Sequence, residues 1–270
     1  MKNKIVARFL TVTLLLANIC FGFSLNLPMQ NAAATSFCGS GTAVEQSETI
    51  NYSRKETEEY NIKSGVPSYI GQPGTGCANV AGAVIIGYYD RFCEDLIPDY
   101  KTYIKLGTAI RYLGETAEIH DLISQLKELM GTDKDVAGTT FSGYQQGMRT
   151  YVNNHNYTYN TEDLGKLNFD KYVTAIKNDK PVALFLNTYS ILTNIQVNGS
   201  SEIVTDERTN IPHALVAFGY RIETYYDSNN KVITTRTYLK VASGLITYGV
   251  NHLCLDGKSK IEYAISTEIK

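Results

Sequence analysis

Gly74-Thr75-Gly76-Cys77-Ala78-Asn79-Val80-Ala81-Gly82-Ala83-Val84-Ile85-Ile86-Gly87-Tyr88-Tyr89-Asp90 is a glycine-rich turn that runs without a break into an apolar helix, with one thiol at the junction. The unpaired backbone N–H groups and aligned peptide dipoles at a helix N-terminus favour negative charge, so a cysteine there is biased toward the thiolate. A core cysteine, the commoner fate of a lone thiol, needs no run of Gly71, Gln72, Pro73, Gly74, Thr75 and Gly76 before it. Val66-Pro67-Ser68-Tyr69-Ile70 reads as the extended approach to this turn and as the start of the folded domain.

Helices follow the junction. Ile119, Leu122, Ile123, Leu126, Leu129 and Met130 recur at helical spacing over Ala117 to Met130, and Gly131 stops the run. A third helix is expected from Phe141 to Asn153, carrying Tyr144, Met148 and Val152, and Asn168 caps a short one through Tyr172 and Ile176. The second half turns to strands. Pro181 to Leu186 is a short, continuous apolar run, His213 to Tyr226 and Lys231 to Ser243 form a hairpin about Asp227-Ser228-Asn229-Asn230, and Lys260 to Thr267 closes the chain. Helices first and strands second predict an α+β domain with an antiparallel sheet.

Ahead of the domain, Lys2, Lys4 and Arg8, the apolar stretch Phe9 to Leu25 and Ala32-Ala33-Ala34 read as a secretory signal, residues 1–34. The apolar run, interrupted by Asn18 and Gly22, falls short of the roughly 20 residues of a membrane span, so no stable membrane anchor is expected. Its removal lowers the Lys and Arg count from 25 to 22 against 27 Asp and Glu. A mildly acidic chain without a basic cluster argues against nucleic acid as a partner. Residues 35–64, with Glu45, Glu48, Arg54, Lys55, Glu56, Glu58 and Glu59 and little apolar periodicity, read as a polar linker or pro-segment. Residues 65–270 are left as one domain.

Cys38, Cys77, Cys93 and Cys254 remain after export, with no zinc spacing among them. On one continuous helix Cys77 and Cys93 would lie about 24 Å apart and could not bond. A bond of Cys93 with Cys254, or of either with Cys38, stays open. No HExxH, CxxC, G-x-S-x-G or Walker pattern is present, and neither a metal nor an organic cofactor is called for.

A nucleophilic thiol needs a base and a group to orient that base. His213 opens an apolar strand in Asn210-Ile211-Pro212-His213-Ala214-Leu215 and is the best placed candidate. His120, His155 and His252 read as surface or structural residues. Gln72, five residues before Cys77, can supply a side-chain amide to an oxyanion together with the Cys77 N–H.

The order Gln72, Cys77, His213, with 136 residues between thiol and imidazole, resembles the papain superfamily, where that spacing is about 130–150. The local papain signature C-G-[SA]-C-[WY] is absent. The residues G-x-G-C-A-x-x-A-G-x-x-x-I-G-Y-Y-D-R from Gly74, Met130-Gly131-Thr132, Gly138 to Gly147, Lys180 to Leu186 and His213 to Tyr220 are similar to secreted bacterial relatives of the bacteriocin-leader (double-glycine) peptidases. The resemblance implies a papain-like fold, with the nucleophile helix packed on an antiparallel sheet, and a secreted thiol peptidase acting on peptide or protein. It also implies an Asp or Asn on the strand after His213. With the hairpin turn centred between Ser228 and Asn229, His213 lies opposite Gly244, so Ser243 occupies that place and is expected to orient the imidazole. Asn251 is the alternative if the chain folds back. A peptidoglycan amidase or endopeptidase, which would clear cell walls, and a non-catalytic pseudopeptidase, which would bind a partner without thiol reactivity, are the other classes open to this pattern. The residues leave the oligomeric state undetermined.

Overall fold

The computed structural model describes residues 43–101, 103–114, 116–245 and 250–270, all within one compact unit, Ala34–Lys270. The expected signal segment and Cys38 lie outside the described residues. In chain order the elements are β1 (Ala43–Asn51), β2 (Arg54–Asn61), α1 (Cys77–Tyr89), β3 (Tyr103–Leu106), β4 (Ala109–Tyr112), α2 (Ala117–Leu129), α3 (Phe141–Asn154), β5 (Tyr159–Asp163), α4 (Phe169–Lys177), β6 (Val182–Asn198), β7 (Ser201–Thr209), β8 (His213–Tyr226), β9 (Val232–Ala242), β10 (Val250–Cys254) and β11 (Lys260–Ile269). This is the expected α+β arrangement with an antiparallel sheet.

α1 carries apolar residues on all faces, and every residue from Ala78 to Tyr89 is buried. Such a helix is stable only when it is covered all round. β8 of the sheet covers one side, and α2 and α3 cover others. The helices come close because Gly82 has no side chain: a Cβ there would stand 2.9 Å from both Met130 Cε and Met148 Sδ. α2 and α3 are one-sided by contrast, burying Ile119, Leu122, Ile123 and Leu126, and Tyr144, Met148, Tyr151 and Val152. Thr140 and Asn168 cap α3 and α4, accepting from Gly143 N at 3.0 Å and Lys171 N at 3.2 Å.

β6 organises the sheet. Its first residues are buried between β11 and β8 (Leu184 opposite both Ala264 and Leu215), and its later residues pair with β7. β6, β8, β9 and β10 close on one another, because β9 also pairs with β10 and Leu253 of β10 meets Ile191 of β6. Beyond this ring two wings extend, β1–β7–β6 on one side and β2–β8–β9 on the other. Between them lies a small apolar cluster of Ile50, Val204 and Tyr225, flanked by Tyr52, Leu192 and Ile195.

The wings also enclose charge. Lys55 Nζ lies 2.9 Å from Glu202 and 2.8 Å from Glu223, both almost fully buried. Arg236 bridges Asp206 at 3.0 Å and Glu48 at 3.1 Å, and Lys258 also pairs with Asp206. Burial alone would push the Glu223 carboxyl up, but its hydrogen bond to Lys55 and the charges of Arg221 and Lys55 outweigh that and hold it below the usual carboxylate value.

These contacts correct one of the two readings of residues 35–64, the polar linker, for the part that is described, and leave the pro-segment reading open. The described part is two strands: β1 pairs with β7 along its length (Ala43 opposite Thr209, Asn51 opposite Ser201), and β2 pairs with β8 (Arg54 opposite Tyr226, Asn61 opposite Gly219). Their sequences lack apolar alternation because the space they enclose is lined largely by ion pairs, and β1 is exposed except at Ile50. The cysteine reading also sharpens. Cys93 and Cys254 are free and buried, Cys254 Sγ lying 3.1 Å from Asp206 Oδ1, and burial pushes both thiols up. No Cys93–Cys254 bond forms.

Truncating one partner of a buried ion pair costs about 3–5 kcal/mol, because the other charge stays in place without compensation. Lys55→Ala should therefore lower the unfolding free energy in urea by about 3 kcal/mol. Lys63→Ala, at an exposed position, should change it by less than about 0.5 kcal/mol. Equal effects would show that the charges between the wings are solvated and that β2 is loosely held.

Candidate functional site

The first turn of α1 is built around a fully buried asparagine. Asn79 Oδ1 accepts the Gly76 N–H at 3.0 Å, and Nδ2 donates to Thr132 Oγ1 at 3.0 Å, which in turn lies 2.6 Å from Thr139 Oγ1. A Cβ on Gly76 would stand 2.6 Å from that same Oδ1, so glycine at the N-cap lets the asparagine close over the helix end. The motif Gly-Cys-Ala-Asn thus carries its own anchor. Sequence reasoning stopped at the cysteine; the asparagine at the third helical position was the available signal.

Cys77, half-buried, is the first residue of α1 and faces the start of β8, where the Ala214 backbone N–H donates to Sγ at 3.3 Å. A main-chain donor aimed at sulfur, added to the helix N-terminus, favours the anionic thiolate over the thiol. His213, immediately before Ala214, lines the same cavity as Cys77. The structure therefore brings together the thiol and the imidazole expected from sequence.

The orienting group differs from the expectation. His213 Nε2 lies 2.8 Å from the backbone carbonyl oxygen of Ser243, and a carbonyl only accepts. The ring therefore donates from Nε2, and neutral His213 keeps its lone pair on Nδ1. The Ser243 hydroxyl is turned elsewhere: it accepts from Asn251 Nδ2 at 3.0 Å and from the Leu245 N–H at 3.3 Å. Serine holds the imidazole through its main chain, so its side-chain role is corrected. The register also differs by one residue from that expectation. Tyr226 lies opposite Val232 and Val216 opposite Ala242, so the hairpin is centred on Asn229, and the bulges at Tyr225–Tyr226 and Ala217–Gly219 offset each other. Asn251 does fold back, in β10 beside β9, and supports Ser243.

Desolvation lowers the His213 pKa below the ordinary imidazole value, opposed in part by its bond to the Ser243 carbonyl. Tyr189 of β6 contributes to that burial. Its ring lies 5.2 Å from the imidazole at 33° and shields one face. Tyr189 was missed because it sits in the part of β6 beyond the apolar run, where no local pattern marks it. Val80, Ile211, Pro212 and Leu245 give the cavity apolar walls and bring it to about 250 Å³.

Gln72 also lines this cavity, on the wall formed by the glycine turn. The turn is fixed at both sides: Gly71 N donates to Gly244 O at 3.2 Å, and Thr75 N and Oγ1 donate to Gln72 O at 2.9 and 2.7 Å. His120, read as a surface or structural residue, places Nε2 3.4 Å from Gln72 Nε2. His155 and His252 are structural. The first caps α3 and bonds Tyr151 O through Nδ1 at 2.9 Å; the second, in β10, packs against Tyr238 of β9. Among the described residues, no group of three or more His, Cys, Asp and Glu is placed to hold a metal ion, and no helix is long and apolar enough to cross a membrane.

Family models, curated proteins and solved structures were each compared with this chain, and none matches it.

The imidazole carbons of His213 should titrate in an NMR pH series with a midpoint below about 6.5, the ordinary histidine value. Ser243→Ala should leave that midpoint in place while lowering stability by about 1 kcal/mol, since it removes hydrogen bonds to Oγ but not the carbonyl. A midpoint moved upward by Ser243→Ala would restore the hydroxyl as the orienting group.

Proposed function

We propose that this protein is a secreted thiol peptidase of papain-like architecture, exported with its first 34 residues removed, with Cys77 as nucleophile and His213 as general base. The observation that carries the reading is the meeting of α1 and β8 on one cavity. The thiol begins the helix, a main-chain N–H points at its sulfur, and the adjacent imidazole is fixed in the tautomer whose free nitrogen can take a proton. A buried structural cysteine would need none of these. Cys93 and Cys254, both buried and set against the Ile269 carbonyl and the Asp206 carboxylate, illustrate the contrast.

In this reading the Cys77 proton passes to His213 Nδ1 as sulfur bonds to the carbonyl carbon of a peptide. The resulting oxyanion is met by the Cys77 N–H at the end of α1 and by the amide of Gln72. Collapse of the intermediate breaks the C–N bond, His213 returns the proton to the leaving amine, and a thioester remains. Water, deprotonated by His213, then releases the acid, and the proton returns to sulfur. The imidazolium formed during both steps is stabilised by the Ser243 carbonyl, a dipole and not a charge, so this support is weaker than a carboxylate would give. The apolar walls and the Tyr189 ring limit water around the reacting atoms, which strengthens every dipole acting on them.

Depressed imidazole basicity sets the pH response. Turnover needs neutral His213, and desolvation extends its neutral range downward, so activity should persist below pH 6.5 before an acid limb appears.

Peptide hydrolysis, followed by the release of new amino termini from a denatured protein substrate, should vanish in Cys77→Ala. In Gln72→Ala kcat should fall by about 10²-fold, while iodoacetamide still labels Cys77 at the wild-type rate, because alkylation uses the thiolate and no oxyanion. Turnover that survives Cys77→Ala would end the proposal, and parallel loss of turnover and labelling in Gln72→Ala would remove the oxyanion role.

A further inference from the structure

The amide of Gln72 is aimed by a second element. Its Nε2 carries two hydrogens and lies 3.4 Å from His120 Nε2. Two nitrogens share a hydrogen only when one of them is unprotonated, so neutral His120 accepts at Nε2 and carries its own hydrogen on Nδ1. With one amide hydrogen directed at α2, the planarity of the amide sets the direction of the other. That second hydrogen takes no part in the contact with His120, and Gln72 lines the cavity.

α2 is well suited to this task. Ile119, Leu122, Ile123 and Leu126 are buried against the core and fix the rotation of the helix, which leaves half-buried His120 on the flank that meets the glycine turn. The same helix holds the turn at another point, where Lys127 Nζ donates to Gly74 O at 2.8 Å. The main chain of Gln72 is already pinned by the two bonds from Thr75 to its carbonyl. Main chain and side chain are thus held by different partners, the loop itself and α2.

We propose that His120 is a positioning residue for Gln72, presenting its amide to the developing oxyanion; this rests on the thiol-peptidase reading above. His120 touches neither thiol nor substrate in this assignment.

The test compares wild type with His120→Ala, His120→Gln, Gln72→Ala and the His120→Ala, Gln72→Ala double variant, reading kcat and KM on a peptide and the iodoacetamide labelling rate of Cys77. His120→Ala should lower kcat about fivefold, the worth of one neutral hydrogen bond, with KM and labelling unchanged. His120→Gln, whose Oε1 can accept from Gln72, should recover most of that loss. In the Gln72→Ala background, removal of His120 should cost nothing more. Losses that add in the double variant, or labelling that falls with kcat, would overturn the proposal by pointing to a general structural defect. An independent reading comes from the 1H–15N resonances of the Gln72 side-chain amide at a fixed pH, which should shift in His120→Ala and return toward the wild-type position in His120→Gln. An amide that is the same in all three proteins overturns the contact whatever the activity. Turnover absent from the wild type, or retained in Cys77→Ala, instead ends the peptidase reading and the oxyanion role of both residues with it.

Discussion

α1 is apolar on every face, and that single constraint fixes most of what surrounds it. A helix buried from Ala78 to Tyr89 has to be enclosed by other elements, and the sheet strand β8 and the helices α2 and α3 do so. Covering the helix brings the beginning of β8 against its N-terminus, so that the Ala214 N–H meets the Cys77 sulfur and His213 arrives beside it. The site is a by-product of core packing at one end of one helix. Thiol and imidazole are therefore held by packing of the buried helix against the sheet, which suits a reaction that needs them kept in fixed relation.

The wings follow different rules. There the interior is small, and the facing surfaces of β1–β7–β6 and β2–β8–β9 meet through Lys55, Glu202, Glu223, Asp206 and Arg236 as well as through Ile50, Val204 and Tyr225. Ion pairs in such a space are directional and cannot slide, so they define how the wings fit even where they add little net stability. This also explains why the N-terminal strands escaped notice as strands: charge in an enclosed space reads, along the sequence, like charge in a linker.

The legible parts of the chain were those with a strong local period or a turn signal. The α2, α3 and α4 stretches, the His213 to Tyr226 strand and its Asp227 turn emerged close to their observed bounds, because burial of one face imprints the helical or strand period on the residues. β3, β4, β5, β7 and β10 did not, being short, exposed or polar. β6 was recognised only up to Leu186, since beyond it the strand leaves the apolar core and pairs with β7 in the charged wing. In the site, Cys77, His213 and Gln72 were found from residue type and order. Tyr189 and His120 were not, because each acts on a residue far away in sequence, 24 and 48 positions from its partner.

By itself, the amino-acid sequence determined that a thiol stands at the start of an apolar helix, that a histidine opens a buried strand, and that helices are combined with an antiparallel sheet. These are local facts, set by the glycine turn, by periodicity and by hairpin chemistry. Only the tertiary structure decided which atoms meet: the Ser243 carbonyl rather than its hydroxyl on His213, Asn251 on that hydroxyl, and His120 on Gln72. The reason is physical. A one-residue change of register, here set by a turn centred on Asn229 rather than between Ser228 and Asn229, changes which residues of the two strands meet beside the site, and nothing in the residues of either strand alone records it.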